Sequence, residues 1–155
     1  MKLDKTDKKI LKQLQKDARK SYSDIAEAVD VAEGTVYNRI EKLKEEKILK
    51  GFVADIDYSK LGYDIIAIIG VTSKGGKLPG LEQKIAKNGN VTSVYDVTGD
   101  YDAMVVAKFK ERDHLNQFVK ELLSRDDVVR TNTMVVLNTV KETHSINLNQ
   151  QKNKK

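Results

Sequence analysis

Apolar residues return every three or four positions through the first fifty residues. Beyond that they alternate or form short runs. Leu3, Ile10, Leu11, Leu14 and Ala18 keep helical spacing, with lysines and acids between them, and predict a first helix from about Asp4 to Asp17. Ser21 or Ser23 can cap a second helix, SYSDIAEAV, whose apolar face is Ile25, Ala26 and Val29. Four residues later EGTVYNRIEKLKEEK predicts a third, with Val36, Ile40 and Leu43 at i, i+4 and i+7. ILKGFVADIDY then turns extended, with β-branched and aromatic residues around Gly51.

From residue 64 the period changes. DIIAIIGVTS reads as a buried strand, KGGKLPG as a loop with the only proline, and LEQKIAKNG as a short helix closed by Asn88-Gly89. VTSVYDVT is a strand, GDYD a hairpin turn and AMVVAKF another strand. ERDHLNQFVKELLSRD is an amphipathic helix that buries Leu115, Phe118, Val119 and Leu122, with Asp113 as its cap, and RTNTMVVLNTVKE is the last strand. The order β-α-β-β-α-β with right-handed crossovers gives a four-stranded antiparallel sheet with both helices on one face. Its bare face needs a cover, so a homodimer packed sheet against sheet is expected.

The class is therefore α+β: a winged-type helix-turn-helix domain over 1–50, a hinge strand or linker over 51–63, and a ferredoxin-like domain over 64–143. Residues 144–155 are polar and read as a disordered tail. The 155 residues suffice for two small domains. No apolar run approaches the ~20 residues of a membrane helix, and no secretory leader is visible, so a cytoplasmic protein is expected. There are no cysteines, which excludes disulfides and thiol chemistry.

The charge distribution sharpens this. The net charge is +5, but residues 1–50 hold 13 Lys and Arg against 10 Asp and Glu, whereas residues 51–143 hold 12 against 13. A basic N-terminal module points to a polyanion. Three short helices, the last two joined by a tight turn, form the helix-turn-helix pattern. On the third, Gly34, Asn38, Glu41, Lys42 and Glu45 lie opposite the core face, flanked by Thr35 and Tyr37. Only the N-terminal half of such a helix reaches the groove floor, so Thr35, Tyr37 and Asn38 are candidates for base edges. Asn38 can pair with adenine; Lys42 suits a phosphate.

A helix-turn-helix followed by this sandwich resembles the Lrp/AsnC family of transcription regulators, from about Asp4 to Glu142. The resemblance rests on LDKTDKKILKQLQKDARKSYSDIAEAV at the opening, TVYNRIEKLKEEKILKGFVADIDYSKLGY across the third helix and hinge, and VYDVTGDYDAMV in the sandwich. It implies double-stranded DNA as partner, a homodimer assembling into a tetramer or octamer, and a small effector, usually an amino acid, at the contact between dimers. No other cofactor is implied. The chain departs from the family pattern at Ala32, where a capping serine is usual, at Gly34, at Lys47, which replaces a glycine, and at Asp126-Asp127, which replaces Pro-Gly.

On that reading Arg39 holds a phosphate or pairs with Glu41 or Glu46. Lys20 and Ser21, at the start of the second helix, offer N–H groups to a phosphate, with Lys50 a weaker candidate. The resemblance assigns the effector to Tyr95, Thr98, Gly99, Asp100 and Tyr101 at the turn and to Thr131 and Thr133 on the last strand. Asn116 and Lys120, at i and i+4, would face the effector's side chain. A desolvated Lys120 would favour an acidic or polar ligand, but on a wet helix face it is simply solvated, the plainer reading.

Catalysis is not expected, and neither is a metal site. His114 and His144 are isolated, there is no P-loop or nucleophile set, and Asp96, Asp100 and Asp102 lack a His or Cys neighbour. Two other readings compete. One is an effector-independent architectural DNA-binding protein. The weaker is a sirohaem-decarboxylase-like enzyme of the same architecture, which needs His and Arg around a tetrapyrrole, whereas Arg112, Arg125 and Arg130 flank one helix and line no strand.

Overall fold

The computed structural model describes residues 2–143 and 145–148. His144 and the last seven residues, most of the predicted tail, lie outside that range. The chain divides into two compact units, one formed by residues up to Asp55 with the described residues from Lys141, the other by 56–140. The boundary thus falls inside the segment predicted as a linker.

In the first unit, helix α1 spans Lys5–Lys16, α2 Tyr22–Val29 and α3 Glu33–Glu45. The first two begin with reciprocal capping boxes. The Asp4 carboxylate takes the Asp7 N–H at 2.8 Å and the Asp7 carboxylate takes the Asp4 N–H at 2.9 Å; Ser21 and Asp24 repeat the exchange at α2. Ile10, Leu14, Ile25, Ala26, Val29, Val36 and Ile40 form the core, so the period read from the sequence is the packing face. Ala18, expected on that face, is exposed beyond the end of α1.

The start of α3 differs. Ala32 occupies the cap position and makes no side-chain bond. The helix ends in a Schellman motif: Lys47 N–H donates to the Lys44 carbonyl and Ile48 N–H to the Leu43 carbonyl, both at 2.9 Å. Lys47 sits at the turning position with φ +54°, a conformation that favours glycine. The extended segment expected from Ile48 forms no strand within the chain, and Tyr58–Leu61 is instead a short 3-10 helix.

The second unit has strands β1 (Ile65–Ser73), β2 (Val91–Asp96), β3 (Ala103–Phe109) and β4 (Val128–Val135), with helices α4 (Leu78–Ile85) and α5 (Arg112–Leu123). The sheet order is β2-β3-β1-β4 and every pairing is antiparallel. Leu81 and Ile85 of α4 and Leu115, Phe118 and Leu122 of α5 pack in one core with Ala67, Ile69, Val71, Ala103, Val105 and Ala107. Both helices therefore cover one face, as the ferredoxin-like reading requires.

Several boundaries shift. Helix α4 starts at Leu78, ahead of the predicted Leu81, because Pro79 falls in its first turn, where a missing N–H has no partner to lose. Asn88-Gly89 does not close it; the Asn88 side chain accepts the Asn90 N–H at 2.9 Å. Helix α5 is preceded by Glu111, and Asp113 lies in its first turn. Strand β4 ends at Val135, well before residue 142. Among the described residues, no helix is long and apolar enough to cross a membrane.

Candidate DNA-reading helix and ligand loop

Val36, Ile40 and Leu43 of α3 are fully buried, which turns Asn38 and Lys42 outward, both exposed. Tyr37 is 51% exposed, with its ring centroid 6.0 Å from that of Tyr22. Thr35 is half-buried. Lys42 makes no ion pair among the described residues, whereas Lys44 is held by Glu41 at 2.7 Å, which raises the lysine's pKa.

Three side chains predicted at phosphates have partners within the chain. Arg39 Nη1 donates to Asp4 Oδ2 at 2.6 Å and to Asp7 Oδ1 at 2.7 Å, so the guanidinium is engaged by α1. The Asp7 N–H and then Arg39 hold the Asp4 carboxyl below the usual range. Lys20 Nζ donates to Gln13 Oε1 at 2.6 Å, and the Ser21 hydroxyl is the acceptor that caps α2. Asp4-x-x-Asp7 ahead of an apolar run is a capping-box spacing, the one signal in the sequence that could have flagged the Asp pair.

The candidate ligand loop runs between β2 and β3. Val97 N–H bonds the Asp102 carbonyl at 3.0 Å and closes a four-residue loop, Thr98 to Tyr101. Gly99 has φ +119°, which a side chain would strain. Asp102 fastens the loop to β1. Its carboxylate takes the Ser73 N–H at 2.7 Å, and its own N–H donates to the Val71 carbonyl at 3.0 Å.

Register decides which side of the sheet each candidate occupies. Tyr95 pairs with Met104, Met104 with Gly70 and Gly70 with Asn132. Paired residues share a face, so this row crosses the open face. Tyr101 lies on it: its ring covers Gly70, and its hydroxyl accepts from Asn132 Nδ2 at 2.7 Å. Arg130 sits 5.7 Å from the ring centroid and donates to the Asp100 carbonyl and Thr72 Oγ1, both at 3.3 Å. Arg130 thus does line a strand, contrary to expectation.

Thr131 and Thr133 pair with Val71 and Ile69 and so point to the helix-covered face, away from Tyr101. Asn116 and Lys120 are exposed on α5. The predicted effector residues therefore form no single cavity within one chain. A cleft of about 740 Å³ lies elsewhere in this unit, between the start of α4 and the α5–β4 turn, lined by Lys77, Lys84, Arg125 and Asp127 among others. Arg125 and Lys84 hold the Asp127 carboxyl below its usual range. Among the described residues no cluster of three or more His, Cys, Asp or Glu could hold a metal.

A three-helix module with one outward polar helix, joined to a ferredoxin-like unit with a fastened loop, defines a two-domain DNA-binding regulator. Residues 3–44 match the AsnC-type helix-turn-helix domain and residues 66–146 the Lrp/AsnC ligand binding domain. An uncharacterized helix-turn-helix transcriptional regulator of Pyrococcus abyssi is 51% identical over 90% of this chain and 95% of its own. The regulator FL11 of Pyrococcus horikoshii is 41% identical over 91% and 93%. Among solved structures, Escherichia coli AsnC superimposes with a TM-score of 0.85 at 28% identity, covering 92% of this chain and 97% of its own. A Neisseria meningitidis regulator in complex with L-Met gives 0.86 at 28%, covering 96% and 98%. The chain belongs to the Lrp/AsnC family and is a helix-turn-helix transcription regulator.

Proposed function

We propose that the chain acts as a homodimer that sets α3 of each protomer into successive major grooves of double-stranded DNA. In this reading Tyr37 and Asn38 meet base edges and Lys42 a phosphate. The division of α3 into a fully buried face and an exposed polar one carries the reading. Dimerisation is supported by the open sheet face, where Ile68, Met104, Val106 and Met134 stay partly exposed and where an apolar surface favours a second copy.

An amino acid held beside Thr98, Gly99, Asp100 and Tyr101 shifts the assembly between dimer and higher oligomer. It does so only through unequal affinity for the two states. The L-Met complex of the Neisseria relative supports this class of ligand. The protein then works on chromosomal DNA in the cytoplasm.

The test is selection of duplexes from a random pool, followed by anisotropy titration of the wild type and Asn38→Ala. Loss of preference for the selected duplex in the variant is the expected result. Failure of the wild type to enrich any duplex overturns the sequence-specific reading. A thermal-shift screen of the twenty amino acids, with light scattering on each hit, tests the effector; a flat screen removes it.

A further inference from the structure

Arg39 of α3 bonds two carboxylates at the start of α1. Among the described residues Asp7 is the one buried charged side chain, 2% exposed, and Arg39 lies 32 residues away in sequence. A single nitrogen, Nη1, bonds both Asp7 and Asp4. Apolar contacts let a helix roll or slide; charged hydrogen bonds of fixed direction do not. The anchor matters most here because α3 begins without a side-chain cap and carries Gly34 in its first turn, so its N-terminal end is weakly held.

We infer that Arg39 is a positioning residue: tied to Asp4 and Asp7, it fixes the roll and height of the recognition helix, and it is not a contact to DNA. The inference rests on the DNA-binding reading above. Charge supports it. Two carboxylates and one guanidinium sum to −1, so the cluster offers a phosphate no net attraction. Base reading tolerates displacements of only about 0.5 Å and 10–20°. Releasing α3 from α1 therefore lowers affinity for the selected duplex more than for random DNA.

The experiment uses the full chain and the duplex that the wild type selects, and measures affinity across a salt series. Arg39→Gln, Arg39→Lys, Asp7→Asn and Asp4→Asn are compared, each well below its own melting temperature. Asp4→Asn is the safeguard against misfolding, because asparagine still caps α1. Positioning predicts that Arg39→Gln and Arg39→Lys both weaken specific binding about ten-fold or more, with the slope of log K against log[salt] unchanged. Asp7→Asn and Asp4→Asn weaken it too, although each removes a negative charge.

A phosphate contact predicts the opposite pattern. Arg39→Gln would lower the slope by about 0.9, Arg39→Lys would retain most binding, and the two Asp→Asn variants would bind more tightly; any of these results overturns the inference. If the wild type selects no duplex, the sequence-specific reading falls first, and that failure is visible before any variant is made.

Discussion

The ring of Tyr101 lies against the backbone of Gly70 so closely that a Cβ on residue 70 would fall 2.7 Å from its Cγ. Glycine at this point of β1 is thus the seat of the β2–β3 loop's aromatic residue. Gly70→Ala must displace the ring, break its bond to Asn132 and loosen the loop, at a cost of about 1–3 kcal/mol. Urea unfolding reads the loss. The same substitution on a Tyr101→Ala background costs clearly less, since the clash has been removed; equal losses in both backgrounds would refute the packing account.

Helix α3 carries two correctable defects. Ala32→Ser supplies the missing acceptor and stabilises the helix-turn-helix unit by about 1 kcal/mol. Lys47→Gly relieves the left-handed lysine and adds about 0.5–1 kcal/mol, part of the relief being offset by the greater freedom of glycine in the unfolded chain. The sites lie at opposite ends of the helix, so the gains should add. Thermal unfolding of the single and double variants checks this.

Glu82 of α4 has a buried Oε1 with no hydrogen-bond partner, and burial, then the charge of Asp96, pushes its carboxyl pKa up. A carboxyl raised in the folded state destabilises it when ionised. That penalty is full above the folded pKa and vanishes as pH falls below the unfolded value. Glu82→Gln therefore raises the melting temperature at neutral pH, and its advantage fades on acidification through that window. A constant advantage at all pH values would assign the effect to packing.

The Asp102 carboxylate holds the Ser73 N–H at a point where the β1–β4 register shifts. Asp102→Ala leaves that half-buried donor unpaired and costs about 1–3 kcal/mol. Asp102→Asn keeps an acceptor and costs less. Hydrogen exchange at Ser73 separates the two: fast in the alanine variant, near the parent rate in the asparagine one.

Local patterns carried most of the fold into view. The apolar period of α1, α2, α3 and α5 names their buried faces, and Ser21 announces the start of α2. Pro79 misled because a proline marks a loop and a first helical turn equally well. The sites were less legible, for two physical reasons. A strand's alternation divides its residues into two sets without saying which faces the helices. Only the register of β4 with β1 places Arg130 and Asn132 on the open face and Thr131 and Thr133 on the other. Arg39 meets partners 32 and 35 residues away, beyond anything helical spacing can report.

The alternation along β4 also constrains how this chain can change length over evolutionary time. Arg130 and Asn132 brace the loop on one side while Thr131 and Thr133 face the other. Inserting or deleting one residue in this stretch would swap the two sets and undo both surfaces in one step. Residues 51–57 form no ladder within the chain, so an added or lost residue there disturbs no such register. Among descendants of this protein, substitutions should accumulate in β4 at constant length, and drift in length should concentrate in that connecting segment.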